Sequence, residues 1–228
     1  MLLFLPGLAC DARIYEPQLA AFPDSRAIDG YGLADTLPAM AEFALEQAPD
    51  EFDLFGHSMG GRVALEVYRL APERVRRLAL VSTGVHSLKD GEPDKRAALQ
   101  AVGWNHGFEK LIDEWLPPMV AERNRNDPKI YPPLRQMNVE AGQAVFDAQI
   151  HALVNRPEVE SLLPQIDCPT LVMTGELDAW APPAQHAAIA AAIPNSELVI
   201  VPGAGHMIQL EAPGAVNSAI ARWLEKPA

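Results

Sequence analysis

Short runs of consecutive apolar residues alternate along this chain with stretches in which apolar side chains recur every three to four positions. LLFL (2–5), SRAI (25–28), DLFG (53–56), LALVS (78–82), TLVMT (170–174) and ELVIV (197–201) are too short for helices and mostly apolar on both alternations. They predict strands of a parallel sheet covered on both faces. Between them, 36–48 places Leu37, Met40, Phe43 and Ala44 on one helical face, with Pro38 tolerated in the first turn. The stretch 61–73 carries Val63, Leu65, Val67 and Leu70 and stops at Pro72; 183–193 and 213–225 begin at or beside prolines, as helices often do. Strand and helix alternating at this pitch predict a doubly wound α/β domain.

The rhythm breaks between the fourth and fifth runs. Residues 85–164 contain no convincing strand but offer amphipathic segments at 94–104, 108–116 and 139–154, punctuated by Pro117-Pro118 and Pro132-Pro133. This reads as a helical insertion between two strands of one sheet, leaving 1–84 and 165–228 as the core and 85–164 as a cap. A plainer alternative is that the segment pads one face of the sheet. The polar stretch VHSLKDGEP (85–93) suggests a hinge at the cap entrance.

Composition narrows the function classes. With 228 residues, 49% of them hydrophobic and 21% charged, the chain fits one medium-sized domain with a sizeable core. No stretch approaches the roughly 18 apolar residues of a membrane helix. The formal charge of −12 repels phosphate backbones and anionic lipid, which argues against nucleic acid and membrane surfaces as partners without forbidding a local basic pocket. Two distant cysteines, Cys10 and Cys168, in no metal-like spacing, argue against a disulfide framework and for a reducing, cytoplasmic setting. The opening MLLFLPG has no basic lead and is ended by Pro6-Gly7, so it does not read as a secretory signal.

The strongest chemical signal is DLFGHSMGGRVALEVY, a short strand running into Gly56-His57-Ser58-Met59-Gly60 and at once into a helix. Ser58 then sits on a sharp strand-to-helix turn that presents its hydroxyl, and Gly56 and Gly60 let strand and helix close on each other. A serine needs a base and an orienting acid to become a nucleophile. Of six histidines, His57 lies inside the elbow and reads as packing, His106 and His151 belong to the insertion, and His186 lies in a helix. His206 follows the last strand in the glycine-rich loop VPGAGHMIQLEAP and is the candidate base. TLVMTGELDAWAPP offers the acid: Asp178, further past the strand end and followed by a proline-stiffened loop, is preferred over Glu176.

Gly-His-Ser-Met-Gly-Gly, then Gly-Glu-Leu-Asp, then Gly-Ala-Gly-His, in that order, resemble the α/β-hydrolase superfamily over nearly the whole chain. The general likeness is to small bacterial carboxylesterases, with 3-oxoadipate enol-lactonases, pimeloyl-carrier-protein methyl ester esterases and cofactor-free haloperoxidases nearby. The resemblance implies an α/β-hydrolase fold with a reduced, mostly parallel sheet of about six strands, helices on both faces and a helical cap. It also implies that LLFLPGLACD is strand then loop, and that the Leu8 and Met59 N–H groups form an oxyanion hole. Where many relatives carry His-Gly this chain has Pro6-Gly7, so proline stiffness is expected to replace whatever order that histidine gives. The two leading strands common in larger relatives are not expected here, and DGYGLAD (29–35) stands where relatives often have an Arg-Gly loop.

The expected activity is ester hydrolysis through an acyl-enzyme with Ser58, His206 and Asp178, needing no metal and no organic cofactor. The partner is a small-molecule ester; an acidic carrier protein is a further possibility. Trp104, Trp115, Leu116, Met119, Val145, Phe146 and Ile150 from the cap are candidates for an apolar pocket, with core packing as the competing role for each. His86, Trp180 and Met207 are further lining candidates. Arg123, Arg125 or Arg135 turned inward would favour a carboxylate-bearing substrate such as an enol-lactone, and turned outward a carrier. Perhydrolysis with the same triad, and a non-catalytic binding scaffold, are the competing readings.

Overall fold

A computed structural model describes residues 1–227 and places six strands in one sheet, all pairing in parallel, in the order β2-β1-β3-β4-β5-β6. The strands are β1 Leu2–Leu5, β2 Ser25–Ala27, β3 Phe52–His57, β4 Val75–Val81, β5 Thr170–Gly175 and β6 Ser196–Val201. Every residue of β1, β3 and β5 is buried. Successive side chains point to opposite faces of a sheet, so both faces of these strands are covered. That is why the sequence shows continuous apolar runs here and not an alternation. The fold is the predicted α/β-hydrolase sheet.

Helices α1 Glu16–Ala21, α2 Leu37–Gln47 and α3 Met59–Leu70 precede the insertion, and α7 Pro183–Ala192, α8 Ile208–Glu211 and α9 Pro213–Leu224 follow it. Helix α3 packs on β1, β3 and β4 and carries α2 on its other side; α1, α8 and α9 group together, with α9 on β5 and β6. Being sandwiched, α3 is buried from Met59 through Tyr68, Arg62 and Glu66 included. Two expected core positions are not core. Phe43 is 40% and Leu70 48% exposed, whereas Ala41 is buried. In α2 the contact stripe is narrower than the apolar periodicity, because small residues face α3. Leu70 lies in the last turn of α3, beyond the reach of its neighbours.

Between β4 and β5 the chain forms α4 Glu92–His106, α5 Phe108–Trp115 and α6 Tyr131–Val154, which pack on one another, together with short 3-10 turns. Helix α6 is longer than its periodic segment and is bent at Gly142 (φ 81°, ψ 159°), a backbone region that is essentially restricted to glycine. Phe108, Trp115 and Phe146 form an edge-to-face aromatic cluster inside this group. Cys10 and Cys168 are both buried free thiols. Among the described residues no helix is long and apolar enough to cross a membrane.

Candidate active site

The loops leaving the carboxyl ends of β1, β3, β5 and β6 converge at one end of the sheet, where parallel sheets place their sites. Ser58 follows β3 directly and has φ 56° and ψ −119°, a left-handed conformation that costs a non-glycine residue energy. The strain is held from both sides: the Ser58 N–H donates to Val81 O at 2.8 Å, and Thr83 Oγ1 donates to Ser58 O at 2.7 Å. A Cβ on Gly60 would run into the Leu5 and Pro6 carbonyls, and one on Gly56 into the backbone of Gly60. The glycines of the elbow are thus demanded by contact between strand, loop and helix.

Ser58, His206 and Asp178 lie in one hydrogen-bonded line. His206 Nε2 is 2.9 Å from Ser58 Oγ, and His206 Nδ1 is 2.9 Å from Asp178 Oδ2. Asp178 Oδ1 also accepts the Trp180 and Ala181 N–H groups at 2.9 and 2.8 Å. Burial alone would raise the Asp178 carboxyl, but the charge and hydrogen bond of His206 and the Ala181 amide outweigh it and hold the group at about 2. An ionised Asp178 accepts a hydrogen bond from Nδ1–H and so leaves Nε2 free to take a proton from the serine hydroxyl. Glu176, the other acid of this loop, instead accepts the Gly203 N–H at 2.8 Å and faces away from the line.

The His206 loop is fixed by groups that carry no signal in the sequence. The His206 N–H donates to Met119 O at 2.8 Å. Glu211 accepts the Gly205 and Met207 amides with one oxygen, and the Ala121 amide and Asn124 Nδ2 with the other, tying the loop to the cap. His57 is more than packing: its Nε2–H donates to His206 O at 2.9 Å, while burial and then the neighbouring His206 push it down to about 3, so it stays neutral. His186 does the same for the adjoining loop. Its Nε2 accepts the Thr83 N–H at 3.1 Å, and burial pushes it down to about 4.

Leu8 and Met59 both border the cavity above Ser58. Among the described residues neither N–H has a backbone or side-chain acceptor outside regular elements. The Pro6-Gly7 loop is held from outside itself. Tyr15 Oη donates to Leu5 O at 2.7 Å and Tyr31 Oη to Pro6 O at 3.3 Å. Ala9, at φ 55°, is clamped by two buried cap amides: its N–H donates to Gln149 Oε1 and its carbonyl accepts from Asn138 Nδ2, both at 2.7 Å. Neither cap residue is a candidate from sequence, because a buried Asn or Gln in a helix has no local signature.

The cavity has a volume of about 450 Å³. His86, Trp115, Met119, Ile150 and Trp180 line it. Trp104 does not: it is 70% exposed, with its indole N–H on Asp147 at 2.9 Å. Phe146 is fully buried behind Trp115, and Met207 borders a separate small void beside His57. Neither borders this cavity, because Trp115 and the His206 loop intervene. Arg123, Arg125 and Arg135 are also elsewhere. Arg135 pairs with Asp113 and Glu109, Arg125 donates to Val120 O, and Arg123 lies over Gly203. The guanidiniums that do face the cavity are Arg62, Arg96 and Arg156.

A model of the Alpha/beta hydrolase family matches residues 2–219. The dihydrolipoyllysine-residue acetyltransferase component of the acetoin cleaving system of Pseudomonas putida is 29% identical over 97% of this chain, which spans only 58% of that relative. The pimeloyl-[acyl-carrier protein] methyl ester esterase of Yersinia enterocolitica is 26% identical over 87% of this chain and 81% of its own length. Among solved structures, the malate-bound thermophilic esterase of Thermogutta terrifontis superimposes with a TM-score of 0.88 at 29% identity, covering 98% of this chain and 88% of that one.

Proposed function

This chain belongs to the alpha/beta hydrolase family, and on that premise we propose that it is a serine carboxylesterase acting through an acyl-enzyme. The observation that carries the reading is the unbroken line Ser58 Oγ, His206 Nε2, His206 Nδ1, Asp178 Oδ2 at the floor of the cavity. Ser58 Oγ attacks the ester carbonyl carbon as its proton passes to His206 Nε2. The oxyanion is met by the Leu8 and Met59 amides, fixed donors that need no reorganisation. Collapse breaks the bond to the alcohol oxygen, which takes the proton from His206. Water then attacks the acyl-enzyme with His206 as base; the acid leaves and Ser58 regains its proton. The esterase named among the relatives and the esterase among the solved structures support ester bonds as the target class.

The test is initial rates on p-nitrophenyl esters of increasing acyl length, native protein beside Ser58→Ala, with fluorophosphonate labelling of both. Turnover that peaks at short acyl chains and falls by about 10⁴- to 10⁶-fold in Ser58→Ala is the expected result. Native protein that neither labels nor turns over any ester is a binding module, and the proposal is then wrong.

A further inference from the structure

We propose that the cavity over Ser58 contains a carboxylate-binding subsite centred on Arg62, so that the ester hydrolysed carries a free carboxylate on one of its two halves. The proposal rests on the esterase reading for its chemistry but on separate residues for its geometry. Arg62 is only 6% exposed and borders the same cavity as Ser58. It stands four residues after Ser58 on α3, about 6 Å further along the helix axis. A single one of its N–H groups is engaged, by His86 O at 2.9 Å; no carboxylate pairs with it among the described residues. No Arg62 nitrogen is a sealed, unpartnered atom, so its free N–H groups open to the cavity, where a ligand can complete them. Burial, followed by the nearby Arg156 charge, pushes Arg62 down to about 9 against the opposing pull of Glu92 and Glu160.

The surroundings add charge of the same sign. Arg156, 9% exposed, donates to the same His86 carbonyl and binds Glu92 through both terminal nitrogens at 2.8 and 2.7 Å. Arg96 shares that same glutamate at 2.8 Å. Glu92 therefore gives its hydrogen bonds to two other guanidiniums and reaches Arg62 only through its charge. Lys89 and Lys95 also border the cavity, and against these five cations stand only Asp90 and Glu92. A chain with a formal charge of −12 has concentrated positive charge in the wall of the cavity that also holds Ser58. A guanidinium fork with free N–H groups in a desolvated wall matches a planar carboxylate in shape as well as sign. The apolar part of the lining, Trp115, Met119, Ile150, Leu153 and Trp180, suits the short carbon chain between the carboxylate and the scissile ester.

Two pairs of esters test this and locate the carboxylate. p-Nitrophenyl hydrogen glutarate against its methyl ester varies charge on the acyl half; 4-carboxyphenyl butyrate against its methyl ester varies charge on the alcohol half. In one pair the carboxylate form is expected to be favoured by about 10- to 100-fold in kcat/KM, the worth of a charge-assisted hydrogen bond to a desolvated guanidinium. The advantage shrinks in high salt, and in Arg62→Gln the ratio falls toward one, with Arg62→Lys between. No preference in either pair, with neutral esters still turned over, overturns the subsite and leaves the esterase standing. Binding provides a readout independent of turnover. Calorimetric titration of Ser58→Ala with monomethyl glutarate and with dimethyl glutarate should show the charged compound bound at least about tenfold more tightly. Equal binding here, and of 4-carboxyphenyl butyrate and its methyl ester to the same variant, overturns the subsite even if the native protein hydrolyses no ester, and the native contrast decides the matter should Arg62→Gln fail to fold.

Discussion

At Gly60 and Gly175 the side chain is absent because backbone occupies its place. A Cβ on Gly60 would meet the Leu5 and Pro6 carbonyls, and one on Gly175 the Gly205 and Ala204 carbonyls beside the His206 loop. Neither contact can be relieved by rotating a side chain, so the cost falls on the loops that hold Leu8 and His206. Gly60→Ala is expected to destabilise by about 1–3 kcal/mol or more and to lower kcat, read by denaturant unfolding alongside ester rates. Asp178 makes a sharper case. With Oδ2 on His206 Nδ1 and Oδ1 on two amides, Asp178→Asn keeps the shape but allows the amide NH₂ to point at Nδ1, stabilising the wrong imidazole tautomer. A fall in kcat of about 10⁴-fold, with KM nearly constant, is expected. A fall below about tenfold would mean that Asp178 does not orient the base.

The long cap helix acts on the site through its bend. Asn138 and Gln149 both reach Ala9, yet in a straight helix residues 11 apart would share a face while sitting about 16 Å apart along the axis. The non-helical Gly142 between them folds α6 so that both amides converge on one loop residue. This clamp supplies some of the order expected of Pro6, whose rigidity fixes its own φ but not the orientation of the Leu8 N–H two residues on. Gln149→Leu leaves the Ala9 N–H without a partner, so kcat is expected to fall by about tenfold or more while KM changes little. Gly142→Ala should straighten or strain the bend at a cost of about 1–3 kcal/mol, measured by thermal unfolding, and lower kcat through the same loop.

For the whole molecule the buried histidines govern acid stability. His57 and His186 are held near 3 and 4 in the folded chain, below the ordinary 6.5 of the unfolded one. A lowered histidine means that the unfolded state binds the proton first, so stability is full above pH 6.5 and is lost as pH falls toward the folded values. Between pH 6.5 and 5 each contributes a loss of up to about 2 kcal/mol. Asp178, held at about 2 instead of 3.8, adds a loss only once pH falls below 3.8. Calorimetry from pH 7.5 to 4 should therefore show Tm falling well before carboxylates titrate, and a smaller fall in His186→Gln. A flat Tm down to pH 5 would contradict the neutral burial of both rings.

The six strands, their parallel class and the order of the loops were legible along the chain because they rest on local rules. Apolar runs of strand length, proline at helix starts and glycine at a turn closed by backbone contact are set by a residue and its sequence neighbours. The loops bearing Ser58, Asp178 and His206 could be picked for the same reason, since each follows a readable strand. What faces the cavity was decided only in three dimensions. Arg123, Arg125 and Arg135 carry the same chemistry as Arg62 and Arg156 and differ only in which neighbours surround them. Trp104 turns outward and Trp115 inward from adjacent helices for the same reason. Periodicity gives the angle of a side chain around its own helix; it does not give the height and tilt at which that helix meets the rest of the fold. Those depend on packing between elements far apart in sequence, such as the bend at Gly142 that brings Asn138 and Gln149 to Ala9.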